Sequence, residues 1–179
     1  MPKNTFDERL PKQFGDFAET LVMYVLGKHK GMRVALVDHV GADIIAVNKE
    51  RTARYAISVK GRNFPKSESK GMQFDRHNLD MLRDFAESFA LIPVVAFVFA
   101  DEMEEKQKIR IFLIRLDEME RLAADNDCEF LNYAKSSGGG YQFKYGCSAK
   151  KDHLSEIQKA GVVDYTELSF DVIDEGLKL

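Results

Sequence analysis

Residues 41–62, GADIIAVNKERTARYAISVKGR, read as two strands joined by a short polar loop. One strand is Asp43–Asn48 and the other Arg54–Lys60, each a β-branched or aromatic run bounded by polar or charged residues. Side chains alternate faces along a strand, so Tyr55, Ile57 and Val59 point one way and Arg54, Ala56, Ser58 and Lys60 the other. An antiparallel hairpin through Lys49–Ala53 brings the start of the first strand beside the end of the second. Asp43 then lies next to Ser58 or Lys60, according to register. Aspartate and lysine are poor strand formers, yet here each closes an apolar run. Two readings follow. In one, the carboxylate ligates a divalent ion and the ammonium faces the anion under attack. In the other, an exposed ion pair caps two strand ends.

What surrounds the hairpin narrows the class of protein. A chain of 179 residues, 45% apolar and 31% charged, has the make-up of a soluble globular protein, and one domain spanning 1–179 is expected. Cys128 and Cys147 are too few for a disulfide framework and lack metal-ligand spacing, which suits a reducing, intracellular setting. The N-terminal MPKNTFDERLPKQ has no apolar core and does not read as a secretory signal. The longest apolar run, Phe89–Ala100, is interrupted by Pro93 and is too short for a bilayer. A cytoplasmic protein without membrane association is expected.

A net charge of −3 argues against a bulk cationic nucleic-acid binder, but the charges are unevenly placed. From Lys49 to Arg76 there are eight bases against three acids, whereas from Asp101 to Glu129 there are ten acids against five bases. That asymmetry points to an anionic partner near the hairpin, against the plainer reading of an ordinary solvated surface.

In chain order, Phe14–Leu26 is the first strong helix, with Phe14, Phe17, Ala18, Leu21, Val22 and Val25 forming one stripe. Glu19 falls at the margin of that stripe beside Val22 and Leu26, where it either reaches the edge of the sheet or stands in water. Met32–Asp38 reads as a strand, and His39-Val40-Gly41 as a turn whose histidine is exposed. A polar loop spans Asn63–Gly71, and a helix about Phe74–Phe89 turns Leu79, Leu82, Phe85, Ala86 and Phe89 inward. Pro93–Ala100 lacks alternation and reads as a strand buried on both faces. Asp101–Lys108 is an acidic turn, Lys108–Arg115 a strand and Leu116–Asn126 a charged helix. Triple glycine at 138–140 runs into the short strand Tyr141–Tyr145, so it reads as a turn and not as a phosphate cradle. Lys150–Lys159 reads as a helix, and the apolar stretch Val162–Ile173 as a candidate surface for a second copy.

Glu19 in the first helix, Gly41–Ala46 opening a strand and Ile57-Ser58-Val59-Lys60 closing the next resemble the PD-(D/E)XK nuclease superfamily. The likeness is closest to its Holliday-junction-resolvase-like and restriction-endonuclease-like branches. It covers about 14–115 and rests on the order and element context of a short motif. The resemblance implies an α/β fold with a restriction-endonuclease-like αβββαβ core, a central mixed sheet flanked by helices and a C-terminal α/β extension over about 116–179.

The same resemblance implies metal-dependent phosphodiester hydrolysis, with DNA the favoured substrate and Mg²⁺ or Mn²⁺ the cofactor. Asp43 corresponds to the metal-binding aspartate, Glu19 to the first-helix glutamate and Lys60 to the lysine that positions water and stabilises phosphate charge. The main-chain carbonyl of Val59 is a further implied ligand. Lys49, Arg51, Arg62 and Lys66 are expected phosphate contacts. Many members act as homodimers, so a second copy is a candidate partner. Ser58 departs from the pattern, since it stands where the family carries an acid. A serine hydroxyl is a weak neutral ligand. Either Glu19 compensates, or Asp38 reaches in, or the domain is a catalytically inactive module that binds nucleic acid or a protein partner.

Overall fold

The structure, a computed structural model, describes residues 9–64, 70–102, 106–125, 127–135, 139–148 and 151–171. Along the chain lie α1 (Arg9–Lys28), β1 (Arg33–His39), β2 (Ala42–Val47), β3 (Arg54–Phe64), β4 (Lys70–Asp75) and α2 (Arg76–Ser88). Then follow β5 (Ile92–Glu102), β6 (Lys106–Arg115), α3 (Leu116–Ala124), β7 (Leu131–Ala134), β8 (Gly140–Ser148), β9 (Lys151–Asp152), α4 (Leu154–Ala160) and β10 (Val163–Asp171).

The expected β2–β3 hairpin forms, with Asn48 building its turn. Its amide donates to the Ala53 carbonyl at 3.1 Å, and its side-chain oxygen accepts the Ala53 amide at 2.9 Å. β3 then crosses to β5 in parallel, which leaves room for β4 and α2 in the connection. The main sheet has the order β1-β2-β3-β5-β6-β10 and is antiparallel except at β3–β5. The fold is α/β, a central mixed sheet flanked by helices.

Alternation along β5 separates two cores. Val94, Ala96, Val98 and Ala100 face α1, whose Ala18, Val22, Val25 and Leu26 cover Ile44, Ala46, Ile57 and Val59. Val95, Phe97 and Phe99 face α2 and a second sheet of order β4-β8-β7, with β9 paired to β8. Small side chains thus lie under the helix and large aromatics under the second sheet. Phe97 stacks on Phe143 with ring centres 4.7 Å apart, and Phe99 meets Tyr145 edge-on at 4.7 Å.

Several sequence expectations change here. The polar loop expected over Asn63–Gly71 is narrower, because β3 continues to Phe64 and β4 begins at Lys70. The acidic turn expected at Asp101–Lys108 shrinks in the same way, since β5 reaches Glu102 and β6 starts at Lys106. Strand β7 had no sequence signal of its own, and β9 occupies part of the expected Lys150–Lys159 helix. Phe17 and Phe89, expected inward, are exposed: Phe17 sits at the outer margin of its helical stripe, and Phe89 is the C-cap beyond the last turn of α2.

The C-terminal part is woven into both sheets. β7, β8 and β9 complete the second one with β4, and β10 adds to the main one beside β6. β10 is fixed there by Glu167, which accepts from Arg110 Nε at 2.9 Å and from the Tyr165 hydroxyl at 2.7 Å, with Lys108 Nζ 3.2 Å away. The Tyr165 hydrogen bond, with help from Arg110 and Lys108, holds the Glu167 pKa down to about 2.

Two glycines set how closely the helices approach the hairpin. At Gly41, with φ +109°, a Cβ would lie 2.4 Å from the Met81 carbonyl oxygen of α2. At Gly61 a Cβ would lie 2.7 Å from Ala18 Cβ and 3.1 Å from the Phe14 ring, so α1 crosses β3 directly over this residue. Gly61→Val is expected to lower stability by about 1–3 kcal/mol through overpacking against α1. Urea denaturation reads this as a lower midpoint, and an unchanged midpoint would mean that α1 yields freely.

Candidate metal and phosphate site

The pairing of β2 with β3 runs from Val47↔Arg54 to Ile44↔Ile57 and stops there. β3 continues for seven more residues to Phe64 with β5 along one edge. A residue's N–H and C=O point to the same side of an extended strand and the sides alternate, so the next amide on the vacated edge is that of Val59. The Asp43 carboxylate takes it. Val59 N–H donates to Asp43 Oδ2 at 2.6 Å, and the Ser58 hydroxyl donates to the same oxygen at 3.3 Å. The Val59 carbonyl is turned to that same edge.

Asp43 reaches this position because the strand before it is irregular. The β1–β2 register slips between Leu36 and His39, and Ala42 packs in the core under α2 while Ile44 packs under α1. Two residues of equal parity therefore lie on opposite faces. The backbone turns between them, and the Asp43 carboxylate comes to lie along the edge of β3.

Lys60 and Glu19 approach that edge from the two faces. Lys60 shares the face of Ala56 and Ser58, and its Nζ lies 5.5 Å from the centre of the Phe74 ring. Phe74 is fully buried in β4, so the second sheet holds the ammonium by a cation–π contact. Glu19 comes from α1 on the opposite face, half-buried. Burial chiefly, then the charges of Asp43 and Asp16, push its pKa above the ordinary glutamate value, and Lys60 opposes them. The electrostatics of Glu19 thus register both Asp43 and Lys60 as neighbours.

The hairpin places the other candidate residues differently. Arg62, exposed, follows Lys60 by two residues and shares its face. Lys49 and Arg51 sit in the turn at the opposite end of the strands, about 15–20 Å from Asp43 at roughly 3.3 Å per residue. Lys66 lies outside the described residues, as does the side chain of Asp38. His39 is exposed as expected, with Nδ1 2.9 Å from the Val40 carbonyl oxygen and its ring 4.9 Å from that of Phe85. Phe74 is the residue that sequence reasoning missed. Its signal was the alternation Met72-Gln73-Phe74, buried, exposed, buried, just after Gly71.

The donors on this edge are oxygens: two carboxylates, a main-chain carbonyl and a hydroxyl. That set suits a hard divalent cation such as Mg²⁺ or Mn²⁺. Asp43 is held on the edge by the Val59 amide and the Ser58 hydroxyl, both on Oδ2, which leaves its Oδ1 for a cation.

No protein-family model matches the chain, and no curated protein is similar to it in sequence. Among solved structures it is similar to Hjc, a Holliday junction resolvase from the archaeal hyperthermophile Archaeoglobus fulgidus. That likeness has 17% identity, covers 82% of this chain and 95% of that one, and has a TM-score of 0.48.

The Glu19 shift has a definite sign for stability. An acid whose pKa is higher folded than unfolded carries more protons in the folded state between the two values, so stability falls as pH rises through that window. Glu19→Gln is expected to raise Tm at neutral pH and leave it unchanged near pH 3, where the wild type is already protonated. A lower Tm at neutral pH would mean that the carboxylate is held for structure.

Proposed function

We propose that the chain is a metal-dependent nuclease that hydrolyses phosphodiester bonds, with DNA the favoured substrate. One observation supports the reading: the Asp43 carboxylate takes the Val59 amide on the open edge of β3, next to Lys60 in the strand, and its charge is among those, after burial, that raise the Glu19 pKa. Asp43, Glu19 and the Val59 carbonyl would hold Mg²⁺ or Mn²⁺, which supplies an activated water and a polarised phosphodiester.

The chain's own groups do the rest. Lys60, steadied on the Phe74 ring, presents its ammonium to the phosphate oxygens and offsets charge that develops during attack. Ser58 takes no negative charge and instead donates to Asp43, fixing the rotation of that carboxylate. Arg62 contacts a neighbouring phosphate on the same face, with Lys66 beyond it in sequence. Lys49 and Arg51, at the far end of the hairpin, meet phosphates about five base pairs away at 3.4 Å per pair. A homodimer would set two such sites on two strands. Among the described residues β10 has β6 as its one neighbour in the main sheet, so its outer edge is the surface offered to a second copy.

A second reading rests on Ser58 itself. With a neutral hydroxyl where the resemblance has an acid, the same edge would serve a module that binds nucleic acid without cutting it.

Mn²⁺ calorimetry on the wild type and on Asp43→Asn, with cleavage of plasmid and branched DNA, separates the two. The amide keeps an acceptor for the Val59 N–H, so the fold is retained while the charge is lost. Heat and nicking that both vanish in the variant support the nuclease. Metal binding without cleavage of either DNA favours the inactive module, and no heat in the wild type at millimolar Mn²⁺ removes the metal site. Ser58→Glu supplies the missing acid. It is expected to tighten Mn²⁺ binding and, because position 58 is buried, to lower Tm in the absence of metal.

A further inference from the structure

A second set of metal-type donors lies where α4 begins. His153 caps that helix, Glu156 stands in its first turn, and Glu129 comes from the segment before β7. One donor atom from each lies within 4.8 Å of the other two. His153 is buried, 2% exposed, and its backbone amide donates to the Tyr145 carbonyl at 2.8 Å, which anchors it to β8. Its Nδ1 is 2.8 Å from Glu156 Oε2 and 3.9 Å from Glu129 Oε2. The two carboxylates are roughly half exposed, at 42% and 53% of their side-chain surface, so the group opens to solvent on one side.

A buried imidazole nitrogen between two carboxylates is a borderline donor set, suited to Zn²⁺ or Co²⁺ more than to Mn²⁺ or Mg²⁺. Ligands at about 2.0–2.1 Å from a tetrahedral ion stand roughly 3.3 Å apart, and the two distances from Nδ1 bracket that value. We propose that Glu129, His153 and Glu156 form a site for a divalent transition-metal ion of the Zn²⁺ class, separate from the Asp43 site. The bound ion ties α4 to the segment that enters β7. His153 gives the Nδ1 lone pair and carries its proton on Nε2, each glutamate gives one oxygen, and the fourth position is open to water. Cys128, one residue before Glu129, is a free thiol.

The test uses the full chain carrying Asp43→Asn, so that failure of the nuclease reading leaves its outcome unchanged. Co²⁺ and Zn²⁺ are titrated separately, following the visible d–d bands of Co²⁺ and the heat of Zn²⁺ binding. One equivalent of each ion is expected to bind, and the metal is expected to raise Tm. Adding Glu129→Gln and Glu156→Gln, two solvent-facing changes, is expected to weaken binding at least about tenfold and abolish the metal-dependent rise in Tm. Glu129→Gln alone is expected to move both readouts the same way. Two results overturn the site: no uptake of either ion by the Asp43→Asn protein at millimolar concentration, or binding that the glutamine substitutions leave intact.

Discussion

The contact on which the site depends is the hydrogen bond from the Val59 amide to the Asp43 carboxylate. β2 stops pairing one residue earlier, and a half-buried strand cannot leave an amide unmatched without a cost of about 1–3 kcal/mol. A side chain supplies what the ladder no longer does. The consequence is geometric: the carboxylate is drawn to the edge of β3, with Lys60 on one face of that strand and α1 on the other. Had β2 continued for two more residues, backbone would fill this position and Glu19 and Lys60 would be separated by a strand.

β3 carries the two cores because each of its faces is buried under a different layer. Ile57 and Val59 lie under α1 and Ala56 lies under the second core, so any shift of the strand costs packing on both sides. Gly61 then lets α1 approach closely enough for Glu19 to register Asp43. On the other side Phe74 arrives by way of β4, the strand after β3, which pairs with β8 in the second sheet. The second sheet is therefore part of the site's support: it fixes the ammonium that the first sheet presents.

Much of this was legible from residue pattern alone, for reasons that particular elements make clear. The β2–β3 hairpin, α1 and the doubly buried β5 each write their period into a run of local residues. The hairpin's direction also implies that Lys49 and Arg51 lie at the opposite end from Asp43, so their remoteness follows from the strand order. What was not legible depends on pairing across long separations. Nothing near Val163 announces Ile114 as its partner, and β4 is a short alternation whose pairing with β8 lies some seventy residues on. His153 escaped notice for the same reason, since Glu129 reaches it only through the fold of the second sheet.

Counting charge gives Ser58 a physical role. Glu19 and Asp43 bring two negative charges to the edge of β3 and Lys60 brings one positive, which leaves the group at minus one. A single dication would take it to plus one, matched to the one negative charge of a phosphodiester. With an acid at position 58 the group would stand at minus two, and one dication would only neutralise it. On this count, and on the proposed nuclease reading, serine would suit a site that works with one metal, and a phosphodiester would meet a net positive surface. The cost would be a weaker hold on the ion before substrate arrives, because one anionic ligand fewer would face it. Occupancy would then be coupled to substrate: the phosphate adds the oxygen and the charge that the chain itself withholds.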